Sequence, residues 1–222
     1  MNIKSFTLRN LEYKCRLSLE RIRGLDFMTF IEPESVGLDP TIAFRSSPSG
    51  NKYLINVLND LKITPKDSII DIGCGKGSAI CKMLKFPFSK IDGIELSEHI
   101  ASIAVENFKR LHTKRVKIIT CDASLFNDYD SYNMIYLYNP FPGCVMMSVI
   151  DALICSVNRL ERELIIIYNN PTCHDNVVSR NVFSRVATYP DQWGNGIAVY
   201  SNRDAENSRL CKKNKHATLV KA

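Results

Sequence analysis

Residues 71–77 read Asp-Ile-Gly-Cys-Gly-Lys-Gly and lie between a short apolar run and a helical pattern. A turn in that setting offers backbone N–H groups and a helix N-terminus to an anionic or polar ligand, and glycines keep Cβ atoms out of its way. The candidates it contributes are Asp71, Gly73, Cys74, Gly75 and Gly77. Two acids follow downstream, Glu95, twenty-two residues after Gly73, and Asp122. A carboxylate in the first place can accept both hydroxyls of a ribose. One in the second can accept the exocyclic amine of adenine, with Ile94, Leu96 or Ala123 flanking the ring. Taken singly, each acid is an ordinary surface or capping residue. Taken together, they stand where open α/β sheets bind ligands.

The elements that must position these residues alternate along the chain. Ser68–Ile72, Ile91–Leu96, Val116–Thr120, Met134–Tyr138 and Leu164–Tyr168 are short, Ile-rich runs, as expected of strands buried on both faces of a parallel sheet. Helical patterns separate them: 79–84, a helix that Ser97 caps with Ile100, Ile103, Ala104 and Phe108 along one side, and Gly143–Leu160. Upstream, Leu8, Leu11, Cys15, Leu19 and Ile22 recur at helical spacing and Gly24 ends the pattern. An irregular stretch rich in proline and glycine follows over 32–50, then a helix that Ser49 is expected to cap, with Leu54, Val57, Leu58 and Leu61 as its apolar stripe. Phe183–Tyr189 and Ile197–Ser201, either side of Pro190, Gly194 and Gly196, predict a hairpin at the sheet edge. The fold class is α/β, Rossmann-like and mostly parallel, with helices on both faces.

From Asp71 to Pro142 the chain resembles the class I S-adenosylmethionine-dependent methyltransferases, whose acid-x-Gly-x-Gly-x-Gly loop is matched by Asp71, Gly73, Gly75 and Gly77. The resemblance implies a seven-stranded sheet with an antiparallel final strand and S-adenosylmethionine as cofactor. It also implies that Asp71 orients the loop or the methionine amine, that the glycines admit the methionine moiety, and that Glu95 and Asp122 bind ribose and adenine. Tyr138-Asn139-Pro140-Phe141-Pro142 is similar to the Asn/Asp-Pro-Pro-aromatic turn of amino methyltransferases, with Phe141 and Pro142 in exchanged order. By that similarity Asn139, Pro140 and Phe141 are the catalytic candidates: the Asn side chain and a following carbonyl accept the target amine, and the aromatic stacks on a planar substrate. An Asn-Pro pair is equally a strong turn former. A nitrogen acceptor is therefore expected, against an oxygen acceptor on a small metabolite or sugar, or a silent cofactor-binding or interaction domain.

Two other nucleotide sites fit less well. In Lys76-Gly77-Ser78 the lysine precedes the glycine, the wrong order for a phosphate-gripping P-loop. The dehydrogenase fingerprint needs Gly-x-Gly-x-x-Gly, and Asp71 would set negative charge beside a pyrophosphate.

In-line displacement from a sulfonium needs alignment and dryness more than an acid or base. His174 and Tyr168 are the candidates for taking a proton, with a structural role as the alternative for His174. Arg45 is a candidate for the methionine carboxylate, beside Ser46, Ser47 and Ser49, and Trp193 and Tyr189 either line a substrate entrance or cover the sheet edge.

Composition is that of an ordinary globular chain, with 45% hydrophobic and 23% charged residues, which argues against fibre and wholesale disorder. No stretch has the apolar length of a membrane span, the start lacks a signal-peptide core, and the eight cysteines show no zinc or redox spacing, so a cytoplasmic protein without a metal site is expected. The expected organisation is an N-terminal helix and connection over 1–39, a methyltransferase domain over 40–202 and a basic, solvated tail over 203–222. The tail holds six Lys/Arg against Asp204 and Glu206, most of the net charge of +6. Such a tail can attract a nucleic acid, though a merely solvated end is the commoner meaning. The methyl acceptor is of unknown class.

Overall fold

The computed structural model describes residues 3–192, 194–210 and 218–219. Helix α1 (Ile3–Ile22) ends ahead of Gly24, whose φ of 65° is the left-handed turn a glycine supplies. An irregular strap follows as far as α2 (Lys52–Asp60). The cap of α2 is Asn51 and not Ser49: the Asn51 side chain accepts from the Tyr53 and Leu54 amides, both at 3.0 Å, while the Ser49 amide donates to Ser78 Oγ at 2.7 Å. Both residues are good caps, and the choice fell to the one not drawn into a contact with the glycine loop.

Next come β1 (Ser68–Ile72), α3 (Ser78–Met83), β2 (Lys90–Glu95), α4 (Glu98–Arg110), β3 (Val116–Thr120) and β4 (Met134–Tyr138). They are followed by α5 (Gly143–Arg159), β5 (Ile165–Asn169), α6 (His174–Val178), β6 (Ser184–Tyr189) and β7 (Ile197–Ser201). Ser97 caps α4, accepting from the Ile100 amide at 3.3 Å, as the sequence predicts.

The seven expected strands run in the order β3-β2-β1-β4-β5-β7-β6, and a short β8 (Thr218–Leu219) adds to β6. Strands β1 to β5 pair in parallel, whereas β7 runs antiparallel to both β5 and β6. Alternation along each strand sends successive side chains to opposite faces. Ile69, Met134 and Tyr136 therefore join one core, and Ile70, Ile72, Ile135 and Leu137 the other. Leu25 and Phe27, from the start of the strap, are built into the first.

The tail begins later than the sequence suggests. Leu210 is 1% exposed, and Arg209 reaches back to Asp67 Oδ1 at 2.8 Å, because a buried carboxylate at the head of β1 recruits a guanidinium. Trp193 and most of the basic run beyond Leu210 lie outside the described residues. Among the described residues no helix is long and apolar enough to cross a membrane.

Candidate active site

The strand order places the carboxyl ends of β1, β2, β3 and β4 along one edge, at the switch point where β1 is flanked by β2 on one side and β4 on the other. A cleft opens there with about 1030 Å³ of atom-free space, its open mouth included. Gly73 and Gly75, Ile94 to Leu96, Cys121 to Ala123 and Tyr138 to Phe141 form its floor, and strap residues from Ile31 to Ser49 form its other wall. Of the residues expected to hold a ligand, Gly73, Gly75, Glu95, Leu96, Asp122, Ala123, Asn139, Pro140 and Phe141 line this one cleft.

Three expected residues do not. Asp71 lies beneath the loop at 1% exposure, and its Oδ2 has no hydrogen-bond partner among the described residues. Cys74 turns its side chain into the core: a Cβ on Gly93 would fall 2.7 Å from its sulfur. Gly77 serves packing, since a Cβ there would stand 2.5 Å from the Phe108 ring, and its φ of 89° is itself a glycine conformation.

The loop amides are not exposed as the sequence suggests. Gly73 and Cys74 both donate to the Ile94 carbonyl at 2.9 Å, Gly77 donates to the Cys74 carbonyl, and Gly75 donates to Glu95 Oε2 at 2.9 Å. The end of β2 consumes three of these donors because a buried N–H must find an acceptor. What the site offers a ligand is acceptors. Glu95 receives the Gly75 and Ser97 amides on separate oxygens, which leaves each oxygen a further lone pair. Asp122 receives the Ser124 amide and hydroxyl on Oδ1 alone, at 2.8 and 2.7 Å.

The electrostatics follow from burial. Desolvation and then the neighbouring Glu95 charge push the Asp71 carboxyl well above the ordinary carboxylate range. Burial raises Glu95 as well, against the pull of the Ser97 and Gly75 amides. The one cation of the loop, Lys76, is turned away to Asp26 Oδ1 at 2.5 Å and to the Thr29 hydroxyl. Sequence reasoning read Lys76 only as evidence against a P-loop. Its partner, fifty residues upstream, had no local signal.

At the end of β4, Asn139 adopts a φ of 39°. Its Oδ1 accepts from the Thr172 hydroxyl and, at 3.5 Å, from the Tyr168 hydroxyl. The Pro140 carbonyl accepts the Phe44 amide at 3.3 Å. Phe141 is 7% exposed and belongs to the second core, so its ring is a wall and not a free stacking face. Tyr168 sits behind Asn139, with burial pushing its phenol up to about 12. His174 Nδ1 pairs with the Tyr200 hydroxyl at 2.8 Å, and neither His174 nor Tyr168 lines the cleft. Arg45 lines it with its guanidinium directed to Glu32 at 3.5 Å and over the Phe30 ring at 4.8 Å. Tyr189 is buried and donates to Asp60 at 3.0 Å, on the far side of β7 from the cleft-bearing strands.

A family model described as a methyltransferase domain matches residues 69–161, the span from β1 through α5. No curated protein matches the chain by sequence. Among solved structures, MtNAS in complex with MTA and tNA superposes with a TM-score of 0.54 at 16% identity over 68% of this chain. The chain spans 58% of the length of that protein. CalS10, an amino pentose methyltransferase from Micromonospora echinaspora, gives 0.54 at 11% identity, over 70% of this chain and 92% of its own. A ribosomal protein L11 methylase from Lactobacillus delbrueckii subsp. bulgaricus gives 0.52 at 18% identity, over 75% and 83%. Residues 69–161 thus match a methyltransferase domain, and the sheet that carries them has the Rossmann-like fold of these solved methyltransferases.

Proposed function

We propose that this chain transfers the methyl group of S-adenosylmethionine to a nitrogen nucleophile, in the cleft between the strap and the ends of β1 to β4. When bound, that cofactor supplies a methyl group on a positively charged sulfur, open to in-line displacement. The observation that carries the reading is the charge of the site. Glu95 lines it and a second buried carboxylate, Asp71, lies beneath it with an unpartnered oxygen, while the nearest loop cation faces elsewhere. Such a site favours a ligand with positive charge and hydroxyl and amine donors, and disfavours a pyrophosphate.

The residues present fit that ligand. Glu95 has lone pairs left for ribose hydroxyls, Asp122 has Oδ2 for an adenine amine, and Ile94, Leu96 and Ala123 supply apolar walls beside them. Asp71, beneath the loop and off the cleft surface, adds a carboxylate under the place of an ammonium. Asn139 aims the acceptor: the Pro140 carbonyl has capacity for one more donor and Asn139 Oδ1 can exchange its long Tyr168 contact for an N–H, which leaves the nitrogen lone pair to face the methyl group. One structural relative, CalS10, is an amino pentose methyltransferase.

An oxygen acceptor is the second reading, favoured by the Thr172 hydroxyl already on Asn139 Oδ1, which frees the side-chain amide to donate to a hydroxyl oxygen. The seven described cysteines, all unpaired, support a reducing, cytoplasmic setting. Nucleic acid as the substrate predicts binding that weakens steeply with salt.

Calorimetry with S-adenosylhomocysteine tests the cofactor half of the proposal: heat from the wild type that is lost in Gly75→Arg supports it, and no heat from either overturns it. Incubation of radiolabelled methyl donor with fractionated lysate, then mass spectrometry of the labelled product, tests the acceptor half. Methyl on oxygen would overturn the nitrogen assignment.

A further inference from the structure

Three aromatic side chains line the cleft near its reacting end: Phe44, Tyr138 and Phe141. Phe141 is committed to one core and Tyr138 packs against the other. Phe44 belongs to neither, is 44% exposed, and is held at the Asn139-Pro140 turn by its own backbone, whose amide donates to the Pro140 carbonyl at 3.3 Å. The strap therefore delivers an exposed ring to the turn whose own aromatic has been withdrawn into the core. An exposed phenyl ring costs free energy in water and has no fold-stabilising use in this position, whereas a flat ligand laid on it recovers both apolar burial and stacking.

We infer that Phe44, and not Phe141, is the surface on which the methyl acceptor lies, and that the acceptor presents a planar ring to it with its nucleophile directed at Asn139. The inference rests on the methyl-transfer reading of the same cleft and adds to it the acceptor's shape. Ile42, 45% exposed and two residues upstream, also lines the cleft and extends the apolar surface beside the ring.

Benzylamine and cyclohexylmethylamine test this directly, because they share a carbon skeleton and a charge and differ in ring planarity. Binding of each to wild type, Phe44→Leu and Phe44→Tyr is read by ligand-observed NMR, with and without saturating S-adenosylhomocysteine. Wild type and Phe44→Tyr should prefer benzylamine by about three- to tenfold, the increment an aromatic pair adds beyond burial. Phe44→Leu keeps apolar bulk at an exposed position and should lose the preference. Equal binding of the two amines by wild type, or a preference that survives Phe44→Leu, overturns the inference. Failure of S-adenosylhomocysteine to bind wild type overturns the methyl-transfer reading instead, and the amine titrations without it still decide the role of Phe44.

Discussion

The Lys76 ammonium lies 2.5 Å from Asp26 Oδ1 with its side chain 2% exposed, while the Asp26 side chain is 38% exposed. Asn107 completes the joint, accepting the Asp26 amide at 2.8 Å and donating to the Asp26 and Lys76 carbonyls at 2.9 and 3.1 Å. One residue of the glycine loop thereby fastens the strap that roofs the cleft.

The two sides of this pair are unequal. Asp26→Ala strands a buried ammonium, at a cost of about 3–5 kcal/mol, whereas Lys76→Met leaves a carboxylate that water can reach and should cost about 1–2 kcal/mol. Burial opposes ionisation of Asp26, but hydrogen bonds from Lys76 and Thr29 together outweigh it and hold the carboxyl below its ordinary value. The contribution of the pair is accordingly present above the unfolded value of about 4 and lost only as pH falls below it. Urea unfolding of both variants near neutral pH measures the difference, and a larger loss in Lys76→Met would contradict it.

Asp71→Asn should stabilise the free protein and weaken cofactor binding. A carboxyl raised in the folded state holds its proton more tightly there, so wild type loses stability as pH rises from the unfolded value of about 3.9 toward the raised one, by about 1.4 kcal/mol per pH unit. The amide escapes that loss. Thermal melts should therefore coincide at acid pH and separate in favour of the variant toward neutrality. A variant less stable than wild type at neutral pH would show that Asp71 has a partner the structure does not reveal.

Protonation of the same carboxylates should discriminate between two ligands that differ in one charge. S-adenosylmethionine carries a sulfonium and S-adenosylhomocysteine a neutral sulfur. Lowering pH from neutrality into the acid range neutralises these groups earlier than ordinary carboxylates, because burial has raised them, so the affinity for the sulfonium should fall faster than that for the thioether. A ratio of the two dissociation constants that stays flat across that range would separate the carboxylates from cofactor charge.

Gly75 and Gly77 should fail in different ways. An added Cβ at Gly77 meets the ring of Phe108, a core residue at 3% exposure whose ring packs tilted, centroids 5.8 Å apart, against Phe27 of the strap. Gly77→Ala should cost about 2–5 kcal/mol of stability from strain and overpacking, and Phe108→Leu in the same chain should recover part of it. A Cβ at Gly75 meets only the Ser46 hydroxyl, at 2.6 Å, in the cleft wall. Gly75→Ala should leave more of the stability intact while weakening S-adenosylhomocysteine binding, which paired melts and calorimetry would reveal.

Much of this molecule is written locally. Ile-rich runs of strand length, a turn with glycine where φ is positive, and acids just past successive strands are short-range patterns. They determined the α/β class, the Ser97 cap, and the arrival of Glu95 and Asp122 at one edge of the sheet. The tertiary structure decided whatever depended on partners remote in sequence. The loop amides were taken by Ile94 and Glu95, Lys76 was drawn to Asp26, Phe141 was buried while Phe44 came to the Pro140 carbonyl, and Leu210 was sealed into the core. Hydrogen-bond donors and apolar rings are satisfied by whichever group packing brings within reach, and periodicity carries no record of which group that is.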